Sequence, residues 1–197
     1  MSTEMPILET ARLRVRPMEA DDLVEVNRVL NAAWSESATA GKREPWLRWQ
    51  IAAYEGLSRL MQPPYGDRAI VWQETGNIVG VAGLVPSFGP FRTLKSFGGG
   101  HSVEDRLFEP EMGLYWAVDP DYQRQGIACE AAEALIRFAF ETLSLRVIVA
   151  TTEHENTASI RVMEKLGMAI NRNPFPEPEW FQTIGVLFND GAGGRTR

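Results

Sequence analysis

The chain has 197 residues, 44% of them hydrophobic and 23% charged, a balance that suits one soluble globular domain with a sizeable core. A net charge of −6 disfavours nucleic acid as a partner, because a polyanion is repelled unless a local basic patch dominates. The lone cysteine, Cys129, excludes an intrachain disulfide and a cysteine-based metal site, and no apolar run is long enough to cross a bilayer. These features, with an N-terminus that lacks a signal-peptide pattern, lead us to expect a cytoplasmic protein with no membrane association and no metal.

Residues 7–16 alternate as a half-buried strand that Pro17 ends. Asp21 or Asp22 then favours a helix start, with Leu23, Val26 and Leu30 at helical spacing. Pro45 fits the first turn of a second helix carrying Leu47, Ile51, Tyr54 and Met61. Arg68–Glu74 and Asn77–Val85 are expected as strands joined at Thr75-Gly76. Residues 86–109 form the least regular segment; a loop of that length tends to be a binding lid or a disordered insertion.

A fourth strand is expected over Glu109–Val118 and a helix over Cys129–Thr142. Arg146–Thr151 is a short apolar strand of the buried central kind. Asn156–Leu166 reads as a helix with Asn156 as N-cap and Gly167 at the C-terminal cap. Met168–Asn171 and Trp180–Phe188 supply the last strands, and 191–197 reads as a frayed tail. Strands interrupted by helices imply an α/β protein with a mixed sheet covered on both faces, in a single domain over residues 1–190.

Between the fourth strand and its helix lies Gln123-Arg124-Gln125-Gly126-Ile127-Ala128. A loop entering a helix leaves several backbone N–H groups without intrahelical partners, and the helix dipole adds partial positive charge there. Gly126 lets a ligand approach the backbone, and Ala128 keeps its side chain small. The segment is a candidate cradle for phosphate or diphosphate. A glycine at a strand–turn–helix joint is also common with no ligand.

The run Glu111–Val118 followed by this loop resembles the central motif of the GCN5-related N-acetyltransferase (GNAT) superfamily, in which Gln or Arg is followed by two residues, Gly, any residue, then Gly or Ala; Gln123, Gly126 and Ala128 match. Glu155-Asn156-Thr157-Ala158-Ser159-Ile160, ending in Glu164-Lys165-Leu166-Gly167-Met168, resembles that family's second motif. Leu8–Pro17 is similar to the first strand of the branch that includes ribosomal-protein N-terminal acetyltransferases.

The resemblance implies a twisted, mostly antiparallel sheet with splayed fourth and fifth strands, and acetyl-CoA as acyl donor. The diphosphate is then expected on the N–H groups of Arg124, Gln125, Gly126, Ile127 and Ala128, with Gln123 at the loop start. The pantetheine arm is expected along Ala117 and Val118 by strand addition, and against Asn156. Ala117 and Val118 also serve as plain core strand, and Asn156 as a plain cap.

Acyl transfer to an amine whose ordinary pKa is about 8 to 10 needs a proton acceptor and help for the departing thiolate. Glu111 is the first candidate base; Glu109, His101 and a water are alternatives, and a salt-bridged surface Glu111 is the bland reading. The superfamily's second-motif tyrosine is missing here, since the tyrosines are at 54, 65, 115 and 122, and Ser159 stands in the position where the branch can use serine. Glu130 complements the helix dipole, His154 has the sequence position to line the same wedge, and Cys129 lies at the phosphate end, which argues against an acyl-cysteine route.

Six tryptophans are many for this length; Trp46, Trp49 and Trp180 suit either packing or a cationic acceptor. The acceptor expected is a primary amine, on a small molecule or a protein N-terminus, and a homodimer is compatible with the sequence. A CoA-binding or protein-interaction module of the same fold, without activity, is the alternative.

Overall fold

The structure, a computed structural model, describes residues 4–100, 102 and 104–189. His101 and the expected 191–197 tail therefore lie outside the described residues. Among the described residues, eight strands are hydrogen-bonded in the order β1-β2-β3-β4-β5-β6-β8-β7. Contacts group the chain into two compact units, Met1–Leu84 with Tyr115–Leu143 and Val85–Leu114 with Ser144–Arg197. Strands β4 (Ile78–Gly89) and β5 (Glu109–Val118) each begin in one unit and finish in the other.

In the first unit, β1 (Leu8–Glu9), β2 (Leu13–Pro17), β3 (Gly66–Trp72) and the start of β4 form an antiparallel ladder, with Val15 opposite Ile70 and Ala69 opposite Val81. The single strand expected over 7–16 is thus two, turned back on each other so that Leu8 pairs with Val15. The reversal is held by the Thr10 amide, which donates to the Leu13 carbonyl, and by the Thr10 hydroxyl, which accepts from the Leu13 amide. The expected fourth strand is consequently β5.

Helix α1 (Leu23–Trp34) places Val26, Val29 and Leu30 on one stripe, and these pack with Leu47, Ala69, Val71, Val81 and Ala117 into the core of this unit. Helix α2 (Ala40–Arg59) starts five residues before Pro45, because Thr39 caps it by accepting the Lys42 amide; the proline sits inside the helix, not in its first turn. Helix α3 (Ile127–Arg137) buries Ile127, Ala131 and Leu135 and runs into a π-helical turn, Phe138–Thr142. Neighbouring strand residues point to opposite faces, so Arg68 faces α3, with its guanidinium 5.1 Å from the Phe138 ring, while Asp67 faces α2.

In the second unit, β6 (Val147–Thr152) pairs antiparallel with β8 (Thr183–Phe188), and β8 with β7 (Ala169–Arg172). Strand β8 begins three residues later than the expected Trp180, after a proline-rich turn. The parallel β5–β6 ladder comprises Met112–Ile148 and Gly113–Val149, although β5 continues to Val118.

Helix α4 (Thr157–Lys165) lies over Gly185, where an added Cβ would come within 3.0 Å of the Met163 and Met168 sulfurs. The opposite face carries Val149, Ile184 and Val186, and on it sit Phe91 and Leu94 from the irregular 86–108 segment. Phe91 and Leu94 are completely buried, so this stretch of the loop is a core element rather than a lid. No helix among the described residues is long and apolar enough to cross a membrane.

Candidate active site

The loop after β5 is assembled from short-range hydrogen bonds. Asp119 is buried; its amide donates to the Val79 carbonyl (2.9 Å), and its carboxylate accepts from the Asp121 amide and from Arg28 on α1. Gln123 Nε2 donates to the Val118 carbonyl (3.0 Å) and Gln125 Nε2 to the Asp121 carbonyl (3.3 Å). The two glutamine side chains therefore stitch the turn, and residues 123–126 stay exposed.

Arg124 (φ 61°) and Gly126 (φ 82°) both take the left-handed conformation, which turns the chain sharply into α3. For Gly126 that conformation is free of the Cβ penalty, and an L side chain there is strained. No side chain caps the helix at Gly126. Its first intrahelical bond runs from the Glu130 amide to the Gly126 carbonyl, which leaves the Ile127 and Ala128 amides without an intrahelical acceptor.

A carboxylate one turn into α3 would repel an anion, yet Glu130 is neutralised in place. Arg12 Nε donates to it at 2.8 Å, the Arg12 amide at 3.0 Å and the Thr10 hydroxyl at 2.6 Å. Burial pushes the Glu130 pKa up, but the Thr10 and Arg12 hydrogen bonds outweigh it and hold the group below its ordinary value. Arg12 also reaches the Gln125 carbonyl at 3.0 Å, clamping the glycine loop from β2. An uncapped helix start behind exposed residues 123–126, with Glu130 paired, fits a diphosphate. Glu130 does more than complement a dipole, and its partner lies 118 residues away in sequence.

Glu111 is half-buried on β5; burial, then the neighbouring Glu109, lift its pKa above the usual range, and Arg146 opposes them. Glu109 is committed to Arg92, at 2.9 Å, which leaves Glu111 the better placed of the two to accept a proton. Asn156 caps α4 by accepting the Ser159 amide at 3.0 Å. Ser159, half-buried in the first turn, is thereby oriented by its own backbone. His154 Nδ1 meets the Thr183 hydroxyl at 2.8 Å, which pins the loop before Asn156 to the start of β8. Glu111 thus neighbours Glu109 and Arg146, and Ser159 neighbours Asn156.

Trp46 packs against the α1–α2 core, whereas Trp49 is 64% exposed. Trp180 stacks edge-on against Phe108 and Phe181. Arg12, Arg28 and the buried group around Asp67 were missed at the level of sequence. A charged Asp67-Arg68 pair inside an otherwise apolar strand was the signal available for the last of these.

Residues 12–169 match the sequence model described as acetyltransferase (GNAT) domain. An N-acetyltransferase of Bacillus subtilis (strain 168), YnaD, is 41% identical over 70 residues, 35% of this chain and 41% of that protein, so the aligned stretch spans about two fifths of that relative. The crystal structure of an acetyltransferase from Agrobacterium tumefaciens str. C58 superposes with a TM-score of 0.68 at 22% identity, covering 93% of this chain and 95% of that one. RimL, a ribosomal L7/L12 α-N-protein acetyltransferase in complex with coenzyme A, superposes with a TM-score of 0.67 at 13% identity, covering 94% and 99%. The glycine loop, the mixed sheet and the extent of the family match agree, and the chain belongs to the GNAT acetyltransferase family.

Proposed function

We propose that the protein transfers the acetyl group of acetyl-CoA to a primary amine, carried by a small molecule or a protein N-terminus, through direct attack of the amine on the thioester. The observation that carries this reading is the uncapped N-terminus of α3 behind exposed residues 123–126, with Glu130 neutralised by Arg12. In this reading the backbone from Arg124 to Ala128, with Gln123 shaping the turn, holds the diphosphate. Ala117 and Val118 offer backbone to the pantetheine arm, and Asn156 borders it. Residues 1–190 act as one acetyltransferase domain.

Acetyl-CoA supplies the activated acyl carbon. Glu111, already lifted above the ordinary carboxylate range, accepts a proton from the attacking nitrogen. The Ser159 hydroxyl donates toward the departing sulfur. RimL acts on a protein α-amine, which favours an amine acceptor here as well.

A second reading, a CoA-binding module without turnover, draws on the missing second-motif tyrosine. Calorimetry with CoA and acetyl-CoA, followed by thiol release across a panel of amines, decides between the two. Binding with turnover supports the enzyme, binding without turnover on any amine supports the module, and no binding removes both.

A further inference from the structure

Asp67 is 4% exposed on β3, and among the described residues no cation is paired with it. From α2, the Gln50 side-chain amide donates to Oδ2, and the Tyr54 hydroxyl donates to the Asp67 carbonyl while accepting the Met18 amide. From β5, the Tyr115 hydroxyl faces the carboxylate. From β4, Gly83 makes room for it, since a Cβ there would sit 2.7 Å from Oδ1. Oδ1 itself has no hydrogen-bond partner among the described residues.

The nearby arginines do not reach it. Arg68 points to the opposite face and donates to the Pro6 carbonyl, and Arg16 is bound to Asp22 at 2.6 Å. A buried carboxylate without a cation destabilises a fold, so packing does not account for this one.

Its place on the sheet does. If the Gly126 loop holds the diphosphate, the extended pantetheine arm reaches back along β5 by about four or five residues at ~3.3 Å each. Counting back from Asp119 brings the thioester beside Leu114 and Tyr115. We infer that Tyr115 and Asp67 form a proton relay for the acceptor amine, with Tyr115 touching the amine and Asp67 acting through it as a positioning residue. This rests on the function proposed above.

An ammonium proton passes to the Tyr115 oxygen as the phenolic proton passes to Asp67 Oδ1. The neutral amine attacks, its C–N bond forms and the C–S bond breaks. Glu111 takes the nitrogen's second proton and Ser159 gives one to the sulfur, which leaves as the thiol; water carries the proton from Glu111 back to Ser159, and Asp67 returns its own proton to water by the same route after the amide departs.

The electrostatics agree with those roles. Burial lifts Asp67 to about 6, against the pull of the Tyr115 hydroxyl and the Gln50 amide, which suits a proton acceptor near neutral pH. Burial first, then Asp67, pushes the Tyr115 phenol well above its ordinary value, so it conducts the proton without ionising. Tyr54 is raised to about 12 by burial and stays neutral.

The test is the pH dependence of kcat/KM for the best amine found in the panel, in wild type, Asp67→Asn, Tyr115→Phe and the control Tyr54→Phe. With the amine arriving as its ammonium and Asp67 required deprotonated, the wild-type logarithmic plot rises with a slope of about one below pH ~6 and is level from there up to the amine pKa. Asp67→Asn and Tyr115→Phe are expected to leave a slope of one throughout and to lower the rate at pH 7 by about 100-fold, with CoA affinity by calorimetry unchanged. Tyr54→Phe is expected to keep the break. A break that persists in Asp67→Asn, or full activity in Tyr115→Phe, overturns the relay while leaving the acetyltransferase reading intact. A wild type that binds acetyl-CoA yet acetylates no amine overturns both.

Discussion

The glycine loop and the Asp67 pocket sit in the same compact unit and solve opposite electrostatic problems. At the loop, partial positive charge comes from main-chain amides, and the carboxylate one turn into α3, Glu130, is cancelled by Arg12. At the pocket, a full negative charge is enclosed by an amide and two phenols, with one oxygen unpartnered among the described residues. The first is cheap to build, because every fold that starts a helix exposes such amides. The second works against stability and is informative for that reason: a group that costs folding energy is retained for something other than folding.

The loop side breaks most completely. Gly126→Trp puts a strained side chain at φ 82° directly at the uncapped start of α3. CoA affinity by calorimetry is expected to fall by at least about 100-fold, with the melting temperature lowered only modestly, since space around Gly126 is open apart from Arg12. Retained affinity would move the diphosphate away from this helix.

The pocket side should respond in the reverse sense. Asp67 rises from 3.8 in the unfolded chain to about 6 in the fold, so ionising it costs more in the native state. Below about pH 4 the group is protonated in both states and the penalty vanishes; it grows as pH climbs and is complete above about pH 6, to at most about 3 kcal/mol. Asp67→Asn is therefore expected to be more stable than wild type by about 1–3 kcal/mol at pH 8 and equally stable at pH 4, by urea denaturation. Equal stability at both pH values would mean the carboxylate is not desolvated as the structure has it.

The two regions also differ in how far they can be read from the chain alone. The loop was legible because its parts are contiguous: Gln123, Gly126 and Ala128 lie within six residues, and a glycine before a helical pattern has a local physical meaning. Most helices and strands were legible for the same reason, as with Val26, Val29 and Leu30 on one stripe of α1. The pocket was not, because Gln50, Tyr54, Asp67 and Tyr115 come from α2, β3 and β5 and meet only after the sheet forms.

The Arg12–Glu130 clamp was hidden likewise by 118 residues of separation. Two local errors have local causes. The Thr10 reversal split one expected strand into two, and the Thr39 cap started α2 ahead of a proline that had been taken for its first turn. The 86–108 segment lacked periodicity, which made a core element look like a lid; Phe91 and Leu94 are buried from short turns that no hydrophobic repeat marks.

Glu111 sharpens the contrast, being lifted by half-burial and by Glu109 rather than by complete enclosure. Glu111→Gln is expected to slow acetyl transfer about tenfold at pH 7 and much less at pH 9, where solvent readily takes the proton the nitrogen loses after attack. A pH–rate profile that keeps its shape removes Glu111 from proton transfer and leaves the relay as the acceptor.

The smallest effect is expected at Glu130, and its sign is opposite to that of Asp67. Glu130 is held below its ordinary value by Thr10 and Arg12, so its charge stabilises the fold at neutral pH, and that contribution is lost as the pH falls through the folded-state pKa. Glu130→Gln keeps the size of the side chain but weakens both Arg12 contacts, and with them the Arg12 hold on the Gln125 carbonyl. The melting temperature of the variant should lie a few degrees below wild type at pH 7, and the two should converge once the pH falls below the folded-state pKa of Glu130. CoA affinity should fall by only a few-fold, because the amides stay in place while the loop loses its brace. A variant that binds CoA more tightly would mean instead that Glu130 repels the bound anion despite Arg12, and the claim that the carboxylate is neutralised in place would have to be given up.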